Sequence, residues 1–64
     1  MEHDNMEIEK YYLTADDVAK MLNVSQSKAY QIIRILNKQL EEQGKITIRG
    51  RVNRKYFEKQ MIDF

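Results

Sequence analysis

Residues 18–33 read VAKMLNVSQSKAYQII, and their spacing is typical of two helices joined by a tight turn. Ala19 is small enough to stand where two helices cross closely. Asn23, four positions later, tolerates the left-handed conformation that often ends a helix. Val24 is an apolar residue that can fill the corner between the helices. We therefore predict a helix-turn-helix with a turn of about three residues at 23–25.

The start of the first helix is marked by Thr14, whose hydroxyl can accept a hydrogen bond from a free N–H of the first turn. Asp17, three residues later, supplies the carboxylate of a capping box. Leu13 and Val18 occupy the two positions of a hydrophobic staple. Together these signals predict a helix that begins at Ala15.

The second helix is predicted over residues 26 to about 43, with Ser25 as its N-cap and Gly44 as its stop. Successive helical residues are rotated by about 100°, so this segment has two distinct faces. The apolar stripe consists of Ala29, Ile32, Ile33, Leu36 and Leu40. The opposite face carries Ser27, Gln31, Arg34 and Lys38.

The last part of the chain predicts a small wing and a final helix. Residues 45–48 alternate polar and apolar side chains, which favours a strand. Residues 49–51, Arg-Gly-Arg, form the turn, and Val52 begins a short return strand. Asn53 caps a helix over residues 54 to about 63, which buries Phe57 and Met61. The predicted fold is mainly α with a small β-hairpin: a winged helix-turn-helix in the order helix, helix, two-stranded wing, helix.

The 64 residues predict one domain at 11–64, preceded by a polar, flexible arm at 1–10. The chain has no cysteine, and His3 is its only histidine, so a thiolate zinc site, a histidine metal site and a His-dependent hydrolase are all excluded. A chain of this size is also too small to enclose a substrate pocket. No apolar run approaches the ~20 residues of a membrane span. We expect a cytoplasmic protein that is not an enzyme and needs no cofactor.

Charge is distributed unevenly although the net charge is only +1. Residues 1–24 carry six acidic and two basic side chains, whereas residues 25–64 carry four acidic and nine basic ones. Such asymmetry indicates a nucleic-acid partner, although a dipolar surface without a partner has the same distribution.

Residues 25–38 contain no acidic side chain and offer groups suited to DNA, Asn37 among them. Amides pair with adenine edges, arginine and lysine with guanine, and hydroxyls with phosphate. We expect this flank and the wing to meet the DNA backbone from the same side, with Arg34 and Arg51 facing it together. The predicted DNA-binding residues are Ser25, Gln26, Ser27, Lys28, Tyr30, Gln31, Arg34, Lys38, Arg49, Arg51 and Arg54.

Two stretches carry a family resemblance: residues 12–25 with 27–30, and residues 50–58. They resemble small excisionase-type helix-turn-helix proteins of phages and conjugative transposons of Gram-positive bacteria, whose fold is related to the DNA-binding domain of MerR regulators. The resemblance covers residues 11–62. It implies a non-catalytic recombination directionality factor that binds and bends double-stranded DNA through the second helix and the wing, so that an integrase excises the element. It also implies a place in the bacterial cytoplasm, at the nucleoid.

Other functions remain open from the sequence. The same fold could serve a small transcriptional regulator of a mobile element or phage, or a module that binds a protein partner. The first two helices could also form a corner that binds no nucleic acid, and the wing could be an edge hairpin kept soluble by its charges. Because one small module makes few phosphate contacts, DNA binding predicts a homodimer or a cooperative array on repeated sites.

Overall fold

The computed structural model describes residues 11–62. The predicted arm at 1–10 and the predicted helix end at Asp63 lie outside the described residues. The elements in chain order are β1 (Tyr12–Thr14), α1 (Ala15–Leu22), α2 (Gln26–Glu42), β2 (Arg51–Asn53) and α3 (Arg54–Ile62). Three helices and a two-stranded antiparallel sheet confirm the mainly helical fold, in an order consistent with a winged helix-turn-helix. Within 11–62, no helix combines the length and the apolar composition that a membrane crossing requires.

The boundaries of α1 follow from local hydrogen bonds, as the sequence predicts. The Thr14 hydroxyl accepts from the Asp17 backbone N–H at 3.2 Å, and the Asp17 carboxylate accepts from the Thr14 N–H at 3.0 Å, which completes the capping box. At the other end Asn23 is left-handed, with φ at 57°. The Val24 N–H donates to the Ala19 carbonyl at 3.0 Å and closes the helix end.

Both ends of α2 are also capped. The Ser25 hydroxyl accepts from the Lys28 N–H at 3.1 Å. At the C-terminal end Gly44 has a φ of +84°, its N–H donates to the Glu41 carbonyl at 2.9 Å, and the Lys45 N–H donates to the Leu40 carbonyl at 3.0 Å. This pair of bonds is a Schellman motif, which turns the chain sharply after the helix.

One hydrophobic cluster joins all five elements. The sheet and α3 contribute to it through Leu13, Val52 and Phe57, and the helix-turn-helix contributes the rest. Ile32 packs against the cluster partly buried. The buried apolar residues are Leu13, Val18, Ala19, Ala29, Ile33, Leu36, Val52 and Phe57.

The pairing of the strands differs from the prediction. Residues 45–47 have no regular secondary structure, and Ile48 forms only an isolated bridge across the turn. β2 pairs instead with β1, in a register that places Leu13 opposite Val52. The reason is burial: this pairing puts two apolar side chains into the core, whereas Ile46 stays 94% exposed.

Candidate nucleic-acid interface

The face of α2 that carries Ser27, Gln31, Arg34 and Lys38 is exposed, because the opposite stripe of the same helix fills the core. The stripe is anchored by Ala29, Ile33 and Leu36, all of them buried. Every DNA-binding residue predicted on this helix and at its N-cap is exposed: Ser25, Gln26, Ser27, Lys28, Tyr30, Gln31, Arg34 and Lys38.

Residues 45–50, which we call the wing loop, fold back along α2 and are fastened to it by Asn37. The Asn37 side-chain nitrogen donates to the carbonyls of Ile48 at 3.2 Å and Arg51 at 2.8 Å. The Arg51 N–H donates to the Ile48 carbonyl at 3.0 Å and closes the turn. The expectation that Asn37 is offered to DNA is therefore wrong: the side chain is buried, and its amide nitrogen holds the wing loop.

Two further contacts join the wing loop to the same face of α2. The Tyr30 phenol lies beside Gly50, whose φ is +78°. The Glu41 carboxylate accepts a hydrogen bond from the Thr47 hydroxyl. Tyr30 and Glu41 lie seven positions before and four positions after Asn37. Since residues at such spacings share one helix face, the wing loop runs along a single stripe of α2.

An open groove remains between α2 and the wing loop. Arg34 and Lys38 line it from the helix, and Arg49 lines it from the loop. Glu41 is the one acidic side chain among the described residues that line this groove. The groove continues toward the N-terminal end of α2 past Gln31. The structure thus gathers basic side chains from two separate elements on one exposed surface.

Gln26, at the first turn of α2, is oriented by a residue of α1. Its side-chain nitrogen donates to Asp16 Oδ1 at 3.0 Å, and Asp16 Oδ2 lies 3.2 Å from Lys20 Nζ. Sequence reasoning assigns Asp16 only to the start of α1 and misses this contact. The bond crosses the turn between the helices, so no spacing rule within one helix predicts it.

Arg51 does not line this groove. It lies across the wing loop, in a second concavity shared with α3. Arg34 and Arg51 therefore do not share one groove, and Arg49 is the wing residue that lines the first groove together with Arg34. The cause is the alternation of side chains along β2: Val52 points into the core, so Arg51 points to the outer face.

Arg54 lines neither concavity. Its guanidinium bonds the Glu58 carboxylate at 2.9 Å, one helical turn along α3. Both side chains are 42% exposed, so this is a surface ion pair within one helix.

The sequence is similar to that of a characterised protein. The chain is 51% identical over 47 residues to the ICEBs1 excisionase of Bacillus subtilis (strain 168), and the aligned region covers 73% of each chain. No family model matches the chain, and no solved structure matches it.

Proposed function

Because the chain belongs to the excisionase family, we propose that it is a recombination directionality factor that binds double-stranded DNA and assists an integrase. The observation that carries the DNA-binding part is the groove of Arg34, Lys38 and Arg49, in which α2 and the wing loop present positive charge on the same side. Positive charge lining a concave surface attracts a polyanion and positions its phosphates. The protein then acts by binding, without a chemical step of its own.

In the proposed complex α2 enters the major groove. The N-terminal residues of such a helix lie closest to the base edges, which places Gln26 and Gln31 opposite bases. Their amides fit the donor and acceptor pair of adenine, and the Arg34 guanidinium fits guanine. Asp16 restricts the orientation of the Gln26 side chain before DNA is bound.

One strand of the sugar-phosphate backbone then lies in the groove between α2 and the wing loop, where Lys38 and Arg49 neutralise its phosphates. The hydroxyls of Ser25 and Ser27 and the free N–H groups of the first helical turn suit a second phosphate. Arg51 and Arg54 lie outside this groove and are proposed as phosphate contacts only. The residues proposed to contact DNA from within or beside the groove are Ser25, Gln26, Ser27, Lys28, Tyr30, Gln31, Arg34, Lys38 and Arg49.

The test is a selection of bound duplexes from a random pool, followed by titrations of the selected sequence in a mobility-shift assay. Arg34→Ala should lose about 1–3 kcal/mol of preference for the selected base pair over its alternatives. Arg49→Ala should weaken every duplex alike and reduce the slope of log affinity against log salt by about 0.9. Met21→Gln, at an exposed side chain of α1 that lines neither concavity, is the control and should change neither quantity. Absence of any shift by the wild-type protein at low salt would refute the proposal.

The recombination part needs its own assay. A single small module makes few phosphate contacts, so we propose that several copies bind neighbouring sites, as a homodimer or a cooperative array. Excision of the mobile element by its integrase should require the wild-type protein and should fail with Arg49→Ala at protein concentrations that suffice for the wild type. Excision that proceeds equally well without the protein would contradict the role.

A further inference from the structure

A second basic concavity lies on the far side of the wing loop from the groove just described. The wing loop, β2 and α3 line it, together with the C-terminal end of α2 and Tyr12 of β1. Four basic side chains line it, and all four are exposed: Lys45, Arg51, Lys55 and Lys59.

Regular geometry of the two elements brings these charges together. In β2, Val52 is fully buried, so Arg51 points to the opposite face of the sheet, into the concavity. In α3, Lys55 and Lys59 are four positions apart and therefore share one side of the helix. Lys45 joins them from the start of the wing loop, where its N–H takes part in the motif that ends α2.

Acidic side chains do not offset this charge locally. Among the described residues, none that line the second concavity is acidic. Glu58, the described carboxylate of α3, bonds Arg54 and does not line the concavity. Four like charges around one concave surface repel one another, and the repulsion is relieved when a polyanion binds.

The first groove and the second concavity are neighbours on the surface, and the wing loop lies between them. Asn37 of α2 and Thr47 of the wing loop line both of them, so the first groove and the second concavity adjoin across the wing loop. Two strands of a duplex are separated across the minor groove by a width of about 6 Å. A loop of this kind can therefore lie over the minor groove with one phosphate strand on each side of it.

We propose that the second concavity binds the sugar-phosphate strand across the minor groove from the strand held in the first groove. This inference rests on the proposed DNA binding and extends the DNA contact past the wing loop onto α3. The wing loop is then flanked by phosphates on both sides, and the site covered on the DNA extends beyond the segment that α2 contacts. Continuity with the first groove favours DNA over an acidic protein segment as the occupant.

The test compares two double variants that remove the same charge from the two concavities. Lys55→Gln with Lys59→Gln alters the second, and Lys38→Gln with Arg49→Gln alters the first. All four side chains are exposed, so both variants should keep the wild-type thermal midpoint and circular dichroism spectrum. Affinity and salt slope are then measured on duplexes that contain the selected sequence and are lengthened stepwise on either side of it.

Wild-type protein should gain affinity when the duplex is lengthened on the side where the wing loop lies. The fall of log affinity with log salt should become steeper at the same time. The Lys55→Gln, Lys59→Gln variant should bind the shortest duplex like the wild type but gain nothing from lengthening. On the long duplex its salt slope should be lower by up to about 1.8, which corresponds to two lost phosphate contacts. The Lys38→Gln, Arg49→Gln variant should bind weakly at every length.

Equal affinity and slope for the wild type and the Lys55→Gln, Lys59→Gln variant at every length would overturn this inference. If the Lys38→Gln, Arg49→Gln variant still loses binding in that experiment, the proposed function is retained and only the inference about the second concavity fails. If the wild type binds no duplex, the proposed function fails as well. Loss of binding to a poly-glutamate peptide by the Lys55→Gln, Lys59→Gln variant, with DNA binding unchanged, would assign the concavity to an acidic protein partner and would also overturn the inference.

Discussion

The hydroxyl oxygen of Tyr30 lies 3.1 Å from the position that a Cβ would occupy at Gly50. The wing loop therefore approaches α2 so closely at this point that a side chain at Gly50 would require the phenol to shift by a few tenths of an ångström. The positive φ of Gly50, +78°, favours glycine for a second and independent reason.

The cost of the left-handed conformation and the cost of the contact with Tyr30 can be separated by making the same substitution at Gly50 and at Gly44. Gly50→Ala should lower the free energy of unfolding by about 1–2 kcal/mol from the left-handed conformation alone, and by a further amount from the contact with Tyr30. Gly44→Ala is the matched control, because its φ is +84° and nothing lies within 4 Å of its Cβ position. Urea denaturation should therefore show a greater loss for Gly50→Ala, and the excess should vanish when both proteins also carry Tyr30→Ala. Equal losses in the wild-type background would show that the phenol simply moves aside.

The amide of Asn37 should be required for the position of the wing loop. Asn37→Asp keeps the shape of the side chain but removes both amide hydrogens and turns a carboxylate toward the carbonyls of Ile48 and Arg51. Both bonds are part-buried, and loss of the donor leaves two acceptors unsatisfied there, so we expect a decrease of about 1–3 kcal/mol in urea denaturation at neutral pH. Gln31→Glu makes the same chemical change at an exposed position of α2 and should change stability by less than about 0.5 kcal/mol. Similar stability of the two variants would contradict the anchoring role.

Removal of either of two neighbouring carboxylates at the start of α1 should have different effects on stability and on base preference. Asp16→Ala should cost only about 0.3–1 kcal/mol, the usual effect of an acid at a helix N-terminus. Asp17→Ala should cost more, because it also removes the capping-box bond to the Thr14 N–H. In the selected-duplex titration, however, only Asp16→Ala should alter base preference, since the Gln26 side chain donates to Asp16. A change of preference in Asp17→Ala of the same size would show that loss of charge, rather than loss of the bond, is the cause.

Substitution of two isoleucines of α2 should change the free energy of unfolding by different amounts, because only one of them is packed in the core. Ile33 is fully buried, and Ile35, two positions later, is 58% exposed. Removal of one methyl group by Ile33→Val should cost about 0.5–1.5 kcal/mol. Ile35→Val should stay within about 0.5 kcal/mol of the wild type. Thermal or urea denaturation measures both, and a larger effect at Ile35 would place that side chain in an interface between protein molecules.

Features set by local interactions could be predicted from the sequence. The caps at Thr14 and Ser25 depend on bonds that span three residues, and the left-handed Asn23 depends on its own side chain. The faces of α2 follow from helical periodicity, so the exposure of Arg34 and Lys38 could be predicted as well.

Features that depend on contacts between residues far apart in the sequence could not be predicted from it. Each strand has only three residues, and α1, α2 and the wing loop separate β1 from β2, so nothing in either segment identifies its partner. The sequence therefore assigned the wrong partner to Val52 and the wrong side of the wing loop to Arg51. Asn37 was misplaced for a related reason: a helical wheel shows which face it occupies but not that a loop folds back to cover it.

The antiparallel pairing of β1 with β2 also sets which part of the fold closes last. α1 and α2 can form through their own local contacts, whereas the pairing of Leu13 with Val52 must close a loop that contains both of these helices. Closing the sheet is a long-range step that fixes α3 in place. A partly folded chain should thus carry a formed helix-turn-helix whose apolar side is still open to chaperones and proteases.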